Sequence, residues 1–138
     1  MDYLVEIKKL AAVIILSLAA NTGVIAFSRR TADISPQFEP LTYTSIGFVT
    51  ILSALGAYFT LQLLKKYTDN PIEYFFYISG LVLIASFGPI GHIALNLPEA
   101  GMAEANILGL THVVAAVFIV GTLVKFETLS QRKKPYRT

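Results

Sequence analysis

Four long apolar stretches, separated by short polar ones, make up most of this chain: Leu10 to Phe27, Leu41 to Leu64, Ile72 to Leu97 and Ile107 to Val124. Each reaches or exceeds the roughly 18 to 20 residues a helix needs to cross ~30 Å of hydrocarbon. The pattern predicts an all-α fold, an integral membrane antiparallel four-helix bundle, with helices near residues 10–28, 41–64, 72–97 and 106–125. The connections are roughly 7 to 13 residues long, too short for a separate soluble domain, so 1–138 reads as a single membrane domain. No repeat at a period of roughly 20 to 50 residues is evident.

Charge lies between the stretches, and its distribution sets the threading. If the segments alternate, Lys8, Lys9, Lys65, Lys66, Lys125, Arg132, Lys133, Lys134 and Arg137 share one side, and Arg29 and Arg30 stand alone on the other. Excess Lys and Arg stays on the cytoplasmic side, so both termini are expected in the cytoplasm. The composition, 54% hydrophobic and 14% charged, follows from the four stretches. The net charge of +2 gathers in the tail Gln131 to Thr138. That tail reads as an anchor near anionic headgroups, not as a nucleic-acid patch. The absence of cysteine excludes disulfides, thiolate metal sites, thiol nucleophiles and dithiol redox chemistry. Lys8 and Lys9 ahead of the first stretch, with Val24-Ile25-Ala26 near its end, loosely imitate a signal peptide. The stretch is long for a signal and is read as a retained helix.

Polar interruptions then mark where each helix packs or ends. Ser17, Asn21 and Thr22 break the first stretch. An unsatisfied amide in hydrocarbon costs several kcal/mol, so Asn21 is expected to face other helices. Pro40 is expected in the first turn of the second helix, where its missing N–H is not needed. Ser53, Ala54, Gly56, Ala57 and Thr60 form a small-residue seam that lets a neighbouring backbone approach. Asn70-Pro71-Ile72-Glu73 reads as a cap, a first-turn proline and a capping-box glutamate. Tyr67, Tyr74 and Tyr77 read as an interfacial aromatic belt. Pro89, flanked by Gly88 and Gly91, is expected to bend the third helix and free a backbone carbonyl. Pro98 and Gly101 end that helix, and Glu99 and Glu104 suit the positive end of the fourth helix dipole.

The candidate chemistry converges on one layer in the half of the bundle away from the termini. Counting inward at 1.5 Å per residue, Asn21, His92 and His112 fall at similar depth, with Thr44, Ser45 and Ser86 close to that level. These six are the candidate ligand-binding residues. Intramembrane ionisable side chains are functional candidates by default, and the carbonyl freed by Pro89 is a candidate partner for His112. His112 is also the candidate catalytic acid or base, because an imidazole titrates near neutrality. His92 and His112 at matched depth admit haem ligation as an alternative. A metal site from His92, His112 and Glu99 or Glu104 matches no recognised ligand spacing. A triad from Ser45 or Ser86, His112 and Glu39 lacks a nucleophile elbow. No carboxylate lies near the midplane, which argues against a proton-coupled multidrug exporter.

Asn21, the segment Phe38-Glu39-Pro40-Leu41-Thr42, the run Ser53-Ala54-Leu55-Gly56-Ala57, Leu83-Ile84-Ala85-Ser86 leading to Pro89, and Thr111-His112-Val113-Val114-Ala115-Ala116 occur in that order over Leu10 to Lys125. In this combination the chain resembles an uncharacterised family of small bacterial four-helix membrane proteins, catalogued as a domain of unknown function. The resemblance implies the four-helix architecture, and together with the positive-inside bias the expected location is the bacterial cytoplasmic (inner) membrane. It draws attention to Asn21, Pro40, Pro89 and His112 and supplies no activity. His92 departs from the pattern, as does Ile90, which stands where a second proline is usual. The expected function is binding of a lipophilic small molecule in an outward-facing polar pocket, or service as an accessory membrane subunit. The alternatives are a membrane enzyme using His112 and a haem-binding electron carrier using His92 and His112. Expected partners are the lipid bilayer, the lipophilic molecule, and either further copies of the chain or a larger membrane complex; no nucleic acid is expected.

Overall fold

All four apolar stretches are helical, and most of the helices outrun the stretches that predict them. The helices are α1 (Tyr3–Thr31), α2 (Tyr43–Tyr67), α3 (Pro71–Asn96) and α4 (Met102–Arg132), with a 3-10 turn over Glu39–Leu41 before α2. This computed structural model describes residues 3–32, 34, 38–96 and 101–132, and the side chains of all of these except 93–95 and 132. Leu97, Pro98, Glu99 and the basic tail 133–138 lie outside the described residues. All four helices are long and apolar enough to cross a membrane. The chain is a multi-pass membrane protein. Large exposed side chains such as Ile15, Phe48, Phe59, Leu81, Ile84 and Val117 are its lipid-facing surface.

The helix ends differ from the sequence expectation for reasons visible in their hydrogen bonds. α1 extends ahead of Leu10 to Tyr3 because Glu6 and Lys9 there have partners. Glu6 accepts from Lys9 Nζ at 2.6 Å, Tyr58 Oη at 3.2 Å and Gln62 Nε2 at 3.3 Å. At the same end of the molecule Lys65 Nζ meets Glu127 Oε2 at 2.7 Å, tying α2 to the extension of α4 beyond Val124. Pro40 lies in the 3-10 turn and not in α2. The cap of α2 is Thr42, whose extended backbone (φ −74°, ψ 150°) lets its hydroxyl accept from the Ser45 N–H at 3.2 Å. α3 opens on Pro71 with Glu73 in its first turn and continues through Pro89. At the start of α4 the Glu104 carboxylate folds back to accept from the Gly101 N–H at 2.9 Å, half of a capping box. A Cβ at Gly101 would lie 2.8 Å from that carboxylate oxygen, so the glycine admits the fold-back.

α1 packs against both α4 and α2, and α3 completes the fold chiefly by packing on α4. Asn21, late in α1, bonds Thr50, early in α2, while Glu6 at the start of α1 bonds Tyr58 and Gln62 near the end of α2. These two helices are antiparallel. The Lys65–Glu127 pair joins the late parts of α2 and α4, which run parallel. The apolar core is divided. One cluster, around Val13, Ala54, Leu61, Phe75, Ile119 and Leu123, fills the end near the termini. A second, around Ile25, Phe38, Leu41, Ile46, Ile90 and Leu108, fills the opposite end. Arg29 pins that second end, donating to the Leu41 carbonyl at 3.3 Å and lying 5.0 Å from the centre of the Tyr43 ring.

Candidate functional site

Between the two core clusters the interior is not filled. A cavity of about 410 Å³ runs along α2, α3 and α4, with Asn21 of α1 at its wall. Its lining on α2 extends from Ile46 to Thr60, on α3 from Phe75 to Ser86 and on α4 from Thr111 to Val120. At 1.5 Å per residue the lining of α2 is ~21 Å long. Lining residues on α2 and α3 such as Val49, Ser53, Gly56, Ile78 and Val82 are exposed, whereas Thr111, Ile119 and Asn21 are buried. The cavity is therefore floored by α4 and α1 and opens between α2 and α3.

This placement changes the meaning of the small-residue run on α2. A Cβ at Gly56 would have no heavy atom within 4 Å, so no neighbouring helix closes on that position. Ser53, Gly56 and Thr60 border empty space, while Ala54 is fully buried in the core and Ala57 packs against the same core cluster, so only one side of the run is a helix seam. Close approach occurs between α3 and α4, where a Cβ at Gly109 would sit 3.2 Å from Phe87 Cε1.

The polar end of the cavity is built from α1, α2, α3 and α4. Asn21 is 2% exposed, donates through Nδ2 to Thr50 Oγ1 at 2.8 Å, and leaves Oδ1 buried without a hydrogen-bond partner. Whichever way the amide is turned, one end lacks a partner. Ser86 and Thr111 line the same end, and their hydroxyls donate to carbonyls of their own helices, Leu83 at 2.6 Å and Leu108 at 2.7 Å. His112 Nδ1 is 2.8 Å from the Leu108 carbonyl, one turn back on α4, and not bonded to a carbonyl freed by Pro89. Because a carbonyl only accepts, Nδ1 carries a proton, and in the neutral ring Nε2 holds the lone pair. Thr60, toward the other end, donates to Gly56 at 2.8 Å. Among the described residues lining the cavity there is no Asp, Glu, Lys or Arg.

Of the six candidates, Asn21, Ser86 and His112 meet at this cavity. Thr44, Ser45 and His92 stand outside its lining. Thr44 is exposed, Ser45 is engaged with the Thr42 cap, and exposed His92 has Nδ1 3.2 Å from Asn96 Nδ2. Among the described residues no group of three His, Asp or Glu gathers. Thr50, Ser53, Ser79 and Thr111 also line the cavity and are not among the six. Their signal was available, since each is a hydroxyl residue inside an apolar stretch: Ser53 belongs to the small-residue run, Thr50 lies three residues before it, Ser79 lies seven before Ser86, and Thr111 directly precedes His112.

A family of unknown function, DUF6069, matches residues 5–128, nearly the whole chain and all four helices. The chain belongs to that family. No curated protein and no solved structure matches it.

Proposed function

We propose that this protein binds a lipophilic small molecule that enters laterally from the bilayer into the cavity between α2, α3 and α4. The observation that carries the reading is the cavity itself: about 410 Å³, with a buried amide of Asn21 left half-bonded at one end. Ligand sites of this kind are largely apolar, with a few placed polar groups that fix orientation. The opening faces lipid, so an apolar ligand reaches the site without crossing water. The positive-inside distribution supports a cytoplasmic-membrane protein with both termini in the cytoplasm, which places the Asn21 end of the cavity in the outer half of the bilayer. The resemblance to small bacterial membrane proteins supports a bacterial inner membrane as its location.

The test is mass spectrometry of protein purified from its native membrane. Wild-type protein is expected to carry a stoichiometric lipophilic molecule, and Gly56→Phe, which fills open space, is expected to lose it while remaining helical and monodisperse. A wild-type protein with no bound molecule, or a variant that keeps it, would overturn the reading.

One observation favours a second reading, in which His112 acts as a general acid or base on the bound molecule. Its Nδ1–H bond to Leu108 fixes the tautomer and leaves the Nε2 lone pair of this cavity-lining residue unshared. Conversion of the co-purified molecule by wild type and not by His112→Gln selects the enzyme; an unchanged molecule removes it. Axial ligation of haem by His92 and His112 has less support, since His92 lies outside the cavity lining.

A further inference from the structure

We infer that the occupant is an uncharged, single-chain amphiphile headed by a hydroxyl, held with its head at Asn21 and His112 and its tail toward Phe75 and Val120. This rests on the ligand-binding reading above and deepens it by specifying the chemistry of the ligand.

Charge comes first. With no Asp, Glu, Lys or Arg in the described lining, a phosphate, carboxylate or ammonium head would be buried without a counter-charge, at a cost of several kcal/mol. The head is also far from the charged surface, because Arg29 stands eight residues beyond Asn21 on α1, ~12 Å along the helix. A neutral head is left.

Hydrogen-bonding capacity then decides which neutral head. The hydroxyls of Ser86 and Thr111 are spent on backbone carbonyls, and Nδ1 of His112 is spent on Leu108. Two acceptors remain at this end, Asn21 Oδ1 and the lone pair of His112 Nε2, and Thr50, whose Oγ1 already accepts from Asn21, keeps its own hydroxyl proton. A ligand hydroxyl donates to these acceptors and can accept from Thr50; an ether or ester, which only accepts, leaves both acceptors bare. Should the amide turn over, the hydroxyl oxygen accepts from the unpaired NH₂ instead, so a hydroxyl satisfies either orientation.

Length and shape set the tail. From Ser86 to Phe75 the lining of α3 runs eleven residues, ~16 Å, and from His112 to Val120 the lining of α4 runs eight, ~12 Å. With the head ~12 Å below Arg29, a tail of this length reaches past the middle of the ~30 Å hydrocarbon layer. The walls along this length are Ile78, Val82, Leu83, Ala115, Ala116 and Ile119, with Ser53 and Ser79 interposed.

The experiment measures binding of four radiolabelled probes to the full-length protein in bilayer nanodiscs: dodecanol, dodecyl methyl ether, dodecanoate and dodecylamine. Dodecanol is expected to bind about tenfold tighter than its methyl ether, with the acid and amine weaker still. Asn21→Leu should shrink the alcohol-to-ether ratio toward one while retaining binding of both, and Gly56→Phe should abolish binding of all four. Ether or acid binding as tightly as alcohol overturns this inference and leaves the ligand-binding reading standing. Absence of saturable binding by any probe, or binding unaffected by Gly56→Phe, overturns both. The alcohol-to-ether comparison in wild type needs no variant, so a misfolded Asn21→Leu does not remove the test.

Discussion

The Asn21 amide makes one hydrogen bond of 2.8 Å, to Thr50, and keeps its other end bare at a position only 2% exposed. A bond between transmembrane helices averages about 0.6 kcal/mol, whereas a buried unsatisfied polar group costs about 1–3 kcal/mol. The unmet group outweighs the bond. Asn21→Leu removes both, and the Thr50 hydroxyl it strands can turn to a carbonyl of its own helix as Thr60 and Thr111 do, so the change is expected to stabilise ligand-free protein by about 1 kcal/mol. Thr50→Val, which leaves both amide ends bare, is expected to destabilise it by about 1–3 kcal/mol. Thermal unfolding in detergent after ligand stripping reads both, and a destabilised Asn21→Leu would mean that the fold depends on the amide for something beyond Thr50. Asn21 and His112 were legible in the sequence as polar residues inside apolar stretches at equal depth. Depth, though, says nothing about rotation around the helix. Thr44 precedes cavity-lining Thr50 by six residues, and His92 follows cavity-lining Ser86 by six; at ~100° per residue both are turned about 120° away from the cavity.

At the level of the helix, the apolar runs located all four elements because length alone distinguishes a membrane span. Their ends were less legible, since they depend on partners distant in sequence. Glu6 looks like part of a polar leader until Tyr58 and Gln62, on another helix, are seen to bond it. The start of α2 shows the same problem locally. Proline in position for a first turn drew attention to Pro40, yet Pro40 belongs to a separate 3-10 turn and Thr42 supplies the cap. Thr42→Ala is expected to cost about 1 kcal/mol of stability, the usual loss of an N-cap, and Thr42→Ser to restore most of it. Equal unfolding midpoints for wild type and Thr42→Ala would show that the 3-10 turn and Arg29 hold this end without the cap. The small-residue run on α2 serves two purposes, with Ala54 and Ala57 packed in the core and Ser53, Gly56 and Thr60 at the cavity, because absence of side-chain bulk permits close approach and open space alike. Only the position of α3 decides between them, and α3 packs mainly on α4.

For the molecule as a whole, the division of the core into two clusters with a cavity between them makes orientation in the bilayer the deciding quantity. The polar end of the cavity lies toward the α1–α2 connection, and the small turn between α2 and α3 lies at the opposite end with the termini. Among the described residues six basic ones, Lys8, Lys9, Lys65, Lys66, Lys125 and Arg132, belong to the helix segments at the end of that turn and two, Arg29 and Arg30, to the other. In the orientation proposed from the positive-inside bias, the turn at Asp69 is cytoplasmic and Thr31 is outside. The chain contains no cysteine, so single introduced thiols report position without background. Thr31 and Asp69 are both exposed. In intact cells, Thr31→Cys is expected to react with a membrane-impermeant maleimide, and Asp69→Cys to react only with a permeant one. The reverse pattern would invert the protein and put the polar end of the cavity in the inner leaflet, with the four crossings intact. Reaction of both with the impermeant reagent would place two successive connections on one side, which four crossings in series do not allow.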